Sequence, residues 1–113
     1  MHEMSIAQNI LEIVQDTMNR EKANKLKEVA VQVGELVAVV PESLEFCFTA
    51  LIENTNLDGA RLNIEILPLM GSCQECKHNF HIMNFLFVCP VCSSTKIDIT
   101  QGQELTIRHL EVE

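Results

Sequence analysis

Neither tryptophan nor tyrosine occurs in the 113 residues, and phenylalanine occurs only 5 times. A core must therefore be built mainly from Ile, Leu, Val and Met. Basic residues are scarce too: 8 Lys and Arg stand against 16 Asp and Glu, for a formal net charge of -8. Phosphate binding needs cationic side chains to displace counterions, so this balance argues against nucleic acid. It argues equally against an anionic membrane surface, while cations or a basic protein remain suitable partners. No stretch approaches the ~20 apolar residues that cross a bilayer. Met1-His2-Glu3-Met4 shows no basic segment followed by an apolar run. No signal peptide is expected, and the expected location is cytoplasmic. Also missing are a GxSxG nucleophile motif, a P-loop and an HExxH pair, so the chain is not expected to be an enzyme.

What is present suits a small globular protein. Hydrophobic residues make up 47%, above the range of disordered chains. A chain this short buries a modest fraction of its surface, and a metal staple would compensate. Ile6, Ala7, Ile10, Leu11, Val14 and Met18 recur at helical spacing and predict an amphipathic helix over 5–19, with Ser5 and Gln8 at capping-box separation. Val29, Val31 and Val33 alternate within a predicted strand at 28–34 that Gly34 ends. Pro41 suits the first turn of a second helix, with Leu44, Cys47, Phe48, Leu51 and Ile52 on one face. Leu62, Ile64 and Ile66 mark another strand, Pro68–Ser72 reads as a linker, and 95–99 is a short strand. Leu105 and Ile107 alternate, then Leu110 and Val112 follow out of phase, which predicts a bulge near Arg108 and His109. The fold class is α+β: a sheet of about three strands packed with two helices, plus an inserted zinc-ribbon-like module. Residues 1–69 and 103–113 form the first domain and 70–102 the second.

The strongest chemical signal is Cys73-Gln74-Glu75-Cys76 followed by Cys89-Pro90-Val91-Cys92. Each CxxC turn aims two thiolates at one point, and two turns make a closed tetrahedral S4 site. In a reducing compartment such clusters bind metal rather than form disulfides. Zinc is the expected ion, although iron in a rubredoxin-like site uses the same ligands. Four thiolates fill the coordination sphere, so the metal is structural. Residues 77–88 are long enough for a hairpin, with Phe80, Ile82, Phe85 and Phe87 as its small core. Over 70–102, Lys77 and Lys96 face Glu75 and Asp98, so there is no basic patch. His78 and His81 read as exposed hairpin histidines, although either could bond a thiolate or replace one at lower pH. Glu35, Glu42 and Glu45 read as solvated charges, and Cys47 as a core thiol.

The N-terminus offers a second candidate site. The α-amine of Met1, the amide nitrogen of His2 and the His2 imidazole can chelate one ion in a plane, which suits Ni(II) or Cu(II). Another group, such as the Glu3 backbone, must fill the fourth position. A site so incompletely enclosed exchanges its metal readily.

Taken together, Met1-His2-Glu3-Met4-Ser5, the helix after it, the late CxxC pairs and the strand Leu105–Val112 resemble the HypA/HybF family over the full length. These are nickel-insertion accessory proteins of [NiFe]-hydrogenase maturation. The resemblance implies a nickel metallochaperone with Ni(II) as exchangeable cargo on Met1, His2 and Glu3, the first and last through backbone nitrogen. It carries over Cys73, Cys76, Cys89 and Cys92 as ligands of structural Zn(II). It implies a HypB-type GTPase and a hydrogenase large subunit as partners, with urease accessory proteins served in some relatives, and a monomer or weak homodimer. Several relatives place a histidine directly after the second CxxC, where this chain has Ser93. That departure speaks against a ligand switch needing two histidines.

Overall fold

A computed structural model describes residues 3–113. Helix α1 spans Glu3–Glu21, strand β1 Leu26–Gly34, helix α2 Pro41–Ile52 and strand β2 Arg61–Leu67. Strands β3 (Met70–Cys73), β4 (Asn79–His81), β5 (Ile97–Gln101) and β6 (Leu105–Val112) follow. A single 3-10 turn, Glu35–Val37, comes directly after β1. The strands form two sheets, ordered β2-β1-β6 and β4-β3-β5.

In the first sheet β1 is central, parallel to β2 and antiparallel to β6. Parallel neighbours need a crossover, and α2 supplies it. Ile6, Ala7, Ile10, Val14 and Met18 of α1 and Leu44, Phe48 and Ile52 of α2 share one buried cluster with Val29, Val31, Val33 and Leu62. The other face of the sheet is polar: Arg61 pairs with Glu28 at 3.8 Å, Arg108 with Glu65 at 3.6 Å, and Gln32 donates to Glu65 at 2.9 Å. Helices on one side only explain the strict alternation of valines along β1. Pro41 opens α2, as its ring geometry favours. The pairing of β6 with β1 slips between Ile107 and His109, leaving Arg108 as the extra residue of the expected bulge. At the front of α1, Glu3 is already helical, so Ser5 lies inside the helix and not at its cap.

The second sheet has its own small cluster of Leu69, Cys73, Phe80, Ile82 and Cys89, with Leu36, Phe87, Ile97 and Ile99 packed against it. Phe85 does not join this cluster; it is 61% exposed, on a loop where Asn84 and Phe85 both take left-handed backbone. The expected linker over Pro68–Ser72 shrinks to Pro68 and Leu69, because Met70–Cys73 pairs with both β4 and β5. Short strands with glycine and no alternation gave no periodic signal there. The molecule measures 54 × 25 × 16 Å, with a radius of gyration of 17.5 Å, against about 13 Å for a compact chain of this length.

The two sheets meet where β1 ends. Gly34 donates to the Glu104 carbonyl at 2.7 Å, and Leu36 N–H to the Gly102 carbonyl at 2.9 Å. A Cβ on Gly34 would lie 2.0 Å from the Gly102 oxygen, with backbone and not a movable side chain in the way. Gly34→Ala is therefore expected to destabilise by ~3 kcal/mol or more, through forced separation of two backbones. Chemical denaturation measures it, and a loss under ~1 kcal/mol would show that the crossing can relax.

Candidate metal centre

Each CxxC segment folds into the same knuckle. Cys73 N–H donates to the His78 carbonyl at 3.0 Å, and Lys77 N–H returns to the Cys73 carbonyl at 3.0 Å. Sixteen residues on, the pattern repeats: Cys89 N–H donates to the Ser94 carbonyl at 2.9 Å, and Ser93 N–H to the Cys89 carbonyl at 2.9 Å. Both returns require a left-handed residue just after the second cysteine, and Lys77 (φ 67°) and Ser93 (φ 64°) supply it. Neither is the glycine that this conformation favours, so the sequence carried no signal of it. Backbone amides also point at sulfur: Cys76 N–H lies 3.5 Å from Cys73 Sγ, and Val91 N–H 3.4 Å from Cys89 Sγ.

The knuckles bring all four sulfurs within 4.8 Å of one another. Cys73 and Cys92 are 3.5 Å apart, as are Cys76 and Cys89, and all are free thiols. Metal–sulfur bonds of about 2.3 Å in a tetrahedron place sulfurs about 3.8 Å apart, so the donor set fits one four-coordinate ion. The first cysteine of each pair is buried and the second exposed.

The electrostatics follow this arrangement. The Cys76 N–H brings the Cys73 thiol down to about 6; burial opposes it, and the Glu75 N–H and neighbouring thiols add to it. At Cys89 burial pushes up, but the Cys92 and Val91 amides and the adjacent thiols outweigh it, and the thiol is lowered. At Cys92 the Ser94 N–H pulls down, yet Cys73, burial, Cys76 and Cys89 together push the thiol up to about 12. At Cys76 the His78 N–H likewise pulls down, but burial, Cys89 and Cys73 prevail and the thiol is raised. The first cysteine of each pair is thus biased toward the thiolate and the second toward the protonated thiol. A cation entering the cluster displaces those protons and relieves the repulsion among thiolates.

The two histidines part ways. His78 stacks on Phe80, with ring centroids 6.0 Å apart. His81 Nε2 lies 2.9 Å from Glu35 Oε1. Among the described residues, neither ring is hydrogen-bonded to a cysteine sulfur. Glu35 is accordingly not the freely solvated charge its sequence position suggested, since it also accepts the Leu69 N–H at 2.7 Å. Leu69 and then His81 hold its carboxyl below the usual carboxylate range. Nothing local marks this contact, because its partners are far apart in sequence.

Of the three N-terminal candidates, Met1 and His2 lie outside the described residues. Glu3 opens α1, and its carboxylate accepts the Val40 N–H at 3.3 Å. Cys47 is half-buried against the main core, as expected of a core thiol. Among the described residues, no helix is long and apolar enough to cross a membrane.

Comparison with known proteins agrees with these observations. The family described as "Hydrogenase/urease nickel incorporation, metallochaperone, hypA" matches residues 1–112. A hydrogenase maturation factor HypA from Geotalea uraniireducens (strain Rf4) is 42% identical over 113 residues, covering 100% of both chains. One from Desulfitobacterium hafniense (strain DCB-2) is 39% identical, covering 100% of this chain and 99% of its own. The solution structure of the Ni metallochaperone HypA from Helicobacter pylori superposes with a TM-score of 0.70 at 27% identity, covering 99% of this chain and 97% of its own. With both motifs and fold in agreement over the whole length, the chain belongs to the HypA family of hydrogenase/urease nickel-incorporation metallochaperones.

Proposed function

We propose that this chain carries Ni(II) on Met1, His2 and Glu3 and passes it, with a HypB-type GTPase, to a [NiFe]-hydrogenase large subunit. Urease accessory proteins are a second recipient class. Cys73, Cys76, Cys89 and Cys92 hold a structural Zn(II), and the chain itself catalyses no reaction. Residues 1–69 and 103–113 act as the nickel unit and 70–102 as the zinc unit. The convergence of four thiols in a chain of this family is the observation that carries the reading.

For nickel, support comes from the start of α1. Ile6 and Ala7 are fully buried, so the terminus leaves a fixed point of the core. The Glu3 carboxylate is engaged with Val40, which leaves its backbone nitrogen as the natural donor. A chelate built from terminal nitrogens needs no cage, and an open chelate suits cargo that must be released. For zinc, support comes from the smallness of the second cluster: two of its five buried residues are the cysteines themselves. Such a core cannot hold a sheet together without the ion.

Three outcomes test the reading. Purified protein should carry about one zinc per chain, and Cys76→Ser or Cys89→Ser should unfold the smaller sheet while helical circular dichroism persists. A zinc-free chain with that sheet intact by NMR would sink the assignment. At the knuckles, Ser93→Gly should be tolerated, whereas Ser93→Val should cost about 1–2 kcal/mol of the left-handed turn and weaken zinc retention roughly tenfold. Competition with a chelator reads this, and equal retention by both variants would refute the role of the turn. The decisive experiment is a nickel titration of untagged protein: His2→Ala should abolish tight binding without moving zinc or fold, and residues added before Met1 should do nearly the same. Amine, amide and imidazole must all lose protons, so affinity should rise from about pH 6 to 8. Full affinity in His2→Ala, or a flat profile, would place the nickel elsewhere.

A further inference from the structure

The large apolar side chains that the fold leaves in water are not spread evenly. Met83, Phe85, Leu86 and Val91 are each between 61% and 66% exposed, and all four belong to the cysteine module. The loop that carries three of them is a defined turn. Leu86 N–H donates to the Met83 carbonyl at 3.0 Å, and Asn84 and Phe85 take left-handed backbone, with φ 54° and 55°. That conformation is costly for residues other than glycine, so the turn is specified by its surroundings and holds its apolar side chains outward. Val91 stands beside them in the second knuckle, its N–H 3.4 Å from Cys89 Sγ. Single exposed apolar residues need no explanation, but a cluster of them marks a contact surface.

The helical body carries a matching hollow. Helix α1 does not fully cover β6: Leu105, Ile107 and Leu110 are only partly buried against the core, and β6 is the edge of its sheet. Two adjoining hollows of about 260 and 380 Å³ run along this seam, and Ile13 and Ile107 line both, so they form one groove. Ile13 is 53% exposed at its lip. The charges match as well. No Lys, Arg, Asp or Glu interrupts the tip between Lys77 and Lys96, whereas the helix side of the groove carries Glu12 and Glu21. Among the described residues, Lys77, Glu12 and Glu21 form no ion pair, and Lys96 reaches Glu75 only at 3.8 Å. Two chains of net charge -8 repel over most of their surfaces. The acid-free tip, flanked by lysines, is the part of one copy that the acidic lip of another can accept.

We propose that the groove is filled by a second copy of this chain: the tip at residues 83–86 of each copy seats in the α1–β6 groove of the other. Tip and groove lie on different lobes of a molecule 54 Å long. Copies lying side by side in opposite directions therefore set each cysteine module against the other's helical body. Such a pair makes two equivalent contacts, engages both tips and closes at two chains. Side chains make the contact and not a shared strand ladder, because the bulge at Arg108 breaks the row of backbone groups on the edge of β6. Neither the N-terminus nor a cysteine sulfur takes part, so the pairing is independent of the nickel assignment.

The test uses the zinc-loaded full chain. Sedimentation equilibrium at rising concentration should give a mass that approaches two chains and stops there. Phe85→Ser with Leu86→Ser, or Ile13→Glu alone, should each weaken the pair about tenfold or more. All three side chains are more than half exposed, so both variants should fold, and unchanged amide spectra away from the substitutions check this. Mixing the variants then distinguishes tip-in-groove contact from general stickiness. In isotope-labelled Ile13→Glu chain, whose tip is intact, the signals of residues 83–86 should shift when the unlabelled tip variant, whose groove is intact, is added. They should not shift when unlabelled Ile13→Glu chain is added. A wild-type mass of one chain up to millimolar concentration would overturn the proposal and leave the tip to a different protein. A mass climbing past two chains, undiminished pairing in either variant, or the same response to both mixing partners would overturn it too.

Discussion

Everything in this molecule hangs from the end of one strand. At the close of β1, Leu67 lies beside Gly34 on the parallel side, and Leu105 lies opposite Val33 on the antiparallel side. The chain therefore leaves for the cysteine module on one flank of β1 and returns on the other. Both ends of the insertion sit within a strand's width of each other, as an insertion must if the parent sheet is to stay closed. Gly34 makes this possible, because only a residue without Cβ lets the return segment cross at Gly102. The valines before it anchor the crossing to the main core.

From that constraint two kinds of stability follow. The larger part is held in the ordinary way, by an apolar helix face laid on each half of a sheet. Without tryptophan or tyrosine it relies on aliphatic side chains, with Phe48 as its buried aromatic ring. The smaller part has too few apolar groups for that. Its buried set counts cysteine sulfurs among its members, so the groups that would bind metal are also the groups that fill space. Gly71 shows how tight the packing is: a Cβ there would meet Ile82 and Ile97 at 2.8 Å. A metal ion held there would therefore be tied to the packing of this lobe.

Sequence alone revealed whatever a local pattern encodes. Both helices, the three strands of the first sheet and the bulge at Arg108 came from apolar periodicity, because each has one buried face. The cysteine cluster came from spacing, because a CxxC turn has only one way to converge on a metal. Met70–Cys73 escaped because a four-residue strand that contains glycine and ends in a ligand has no period to detect. The exposure of Phe85 is not legible in its hydrophobicity, because a left-handed pair of residues turns that loop outward. The left-handed positions at Lys77 and Ser93 escaped because the residues there are not glycine. Glu35 escaped for a more general reason: its meaning lies in residues 34 and 46 positions away, joined only by the fold.

That last contact also shows how differently the chain is held within its lobes and between them. Within each sheet, hydrogen-bond ladders and packing leave little freedom. Between the sheets, the backbone crossing runs from Gly34 and Leu36 to the return strand. Beside it stand Leu36 packed near Leu69 and the Glu35–His81 pair. Interactions of that kind are each worth little in water, so they can be remade without unfolding either lobe. The strong forces lie in the cores, and the weak ones at the waist.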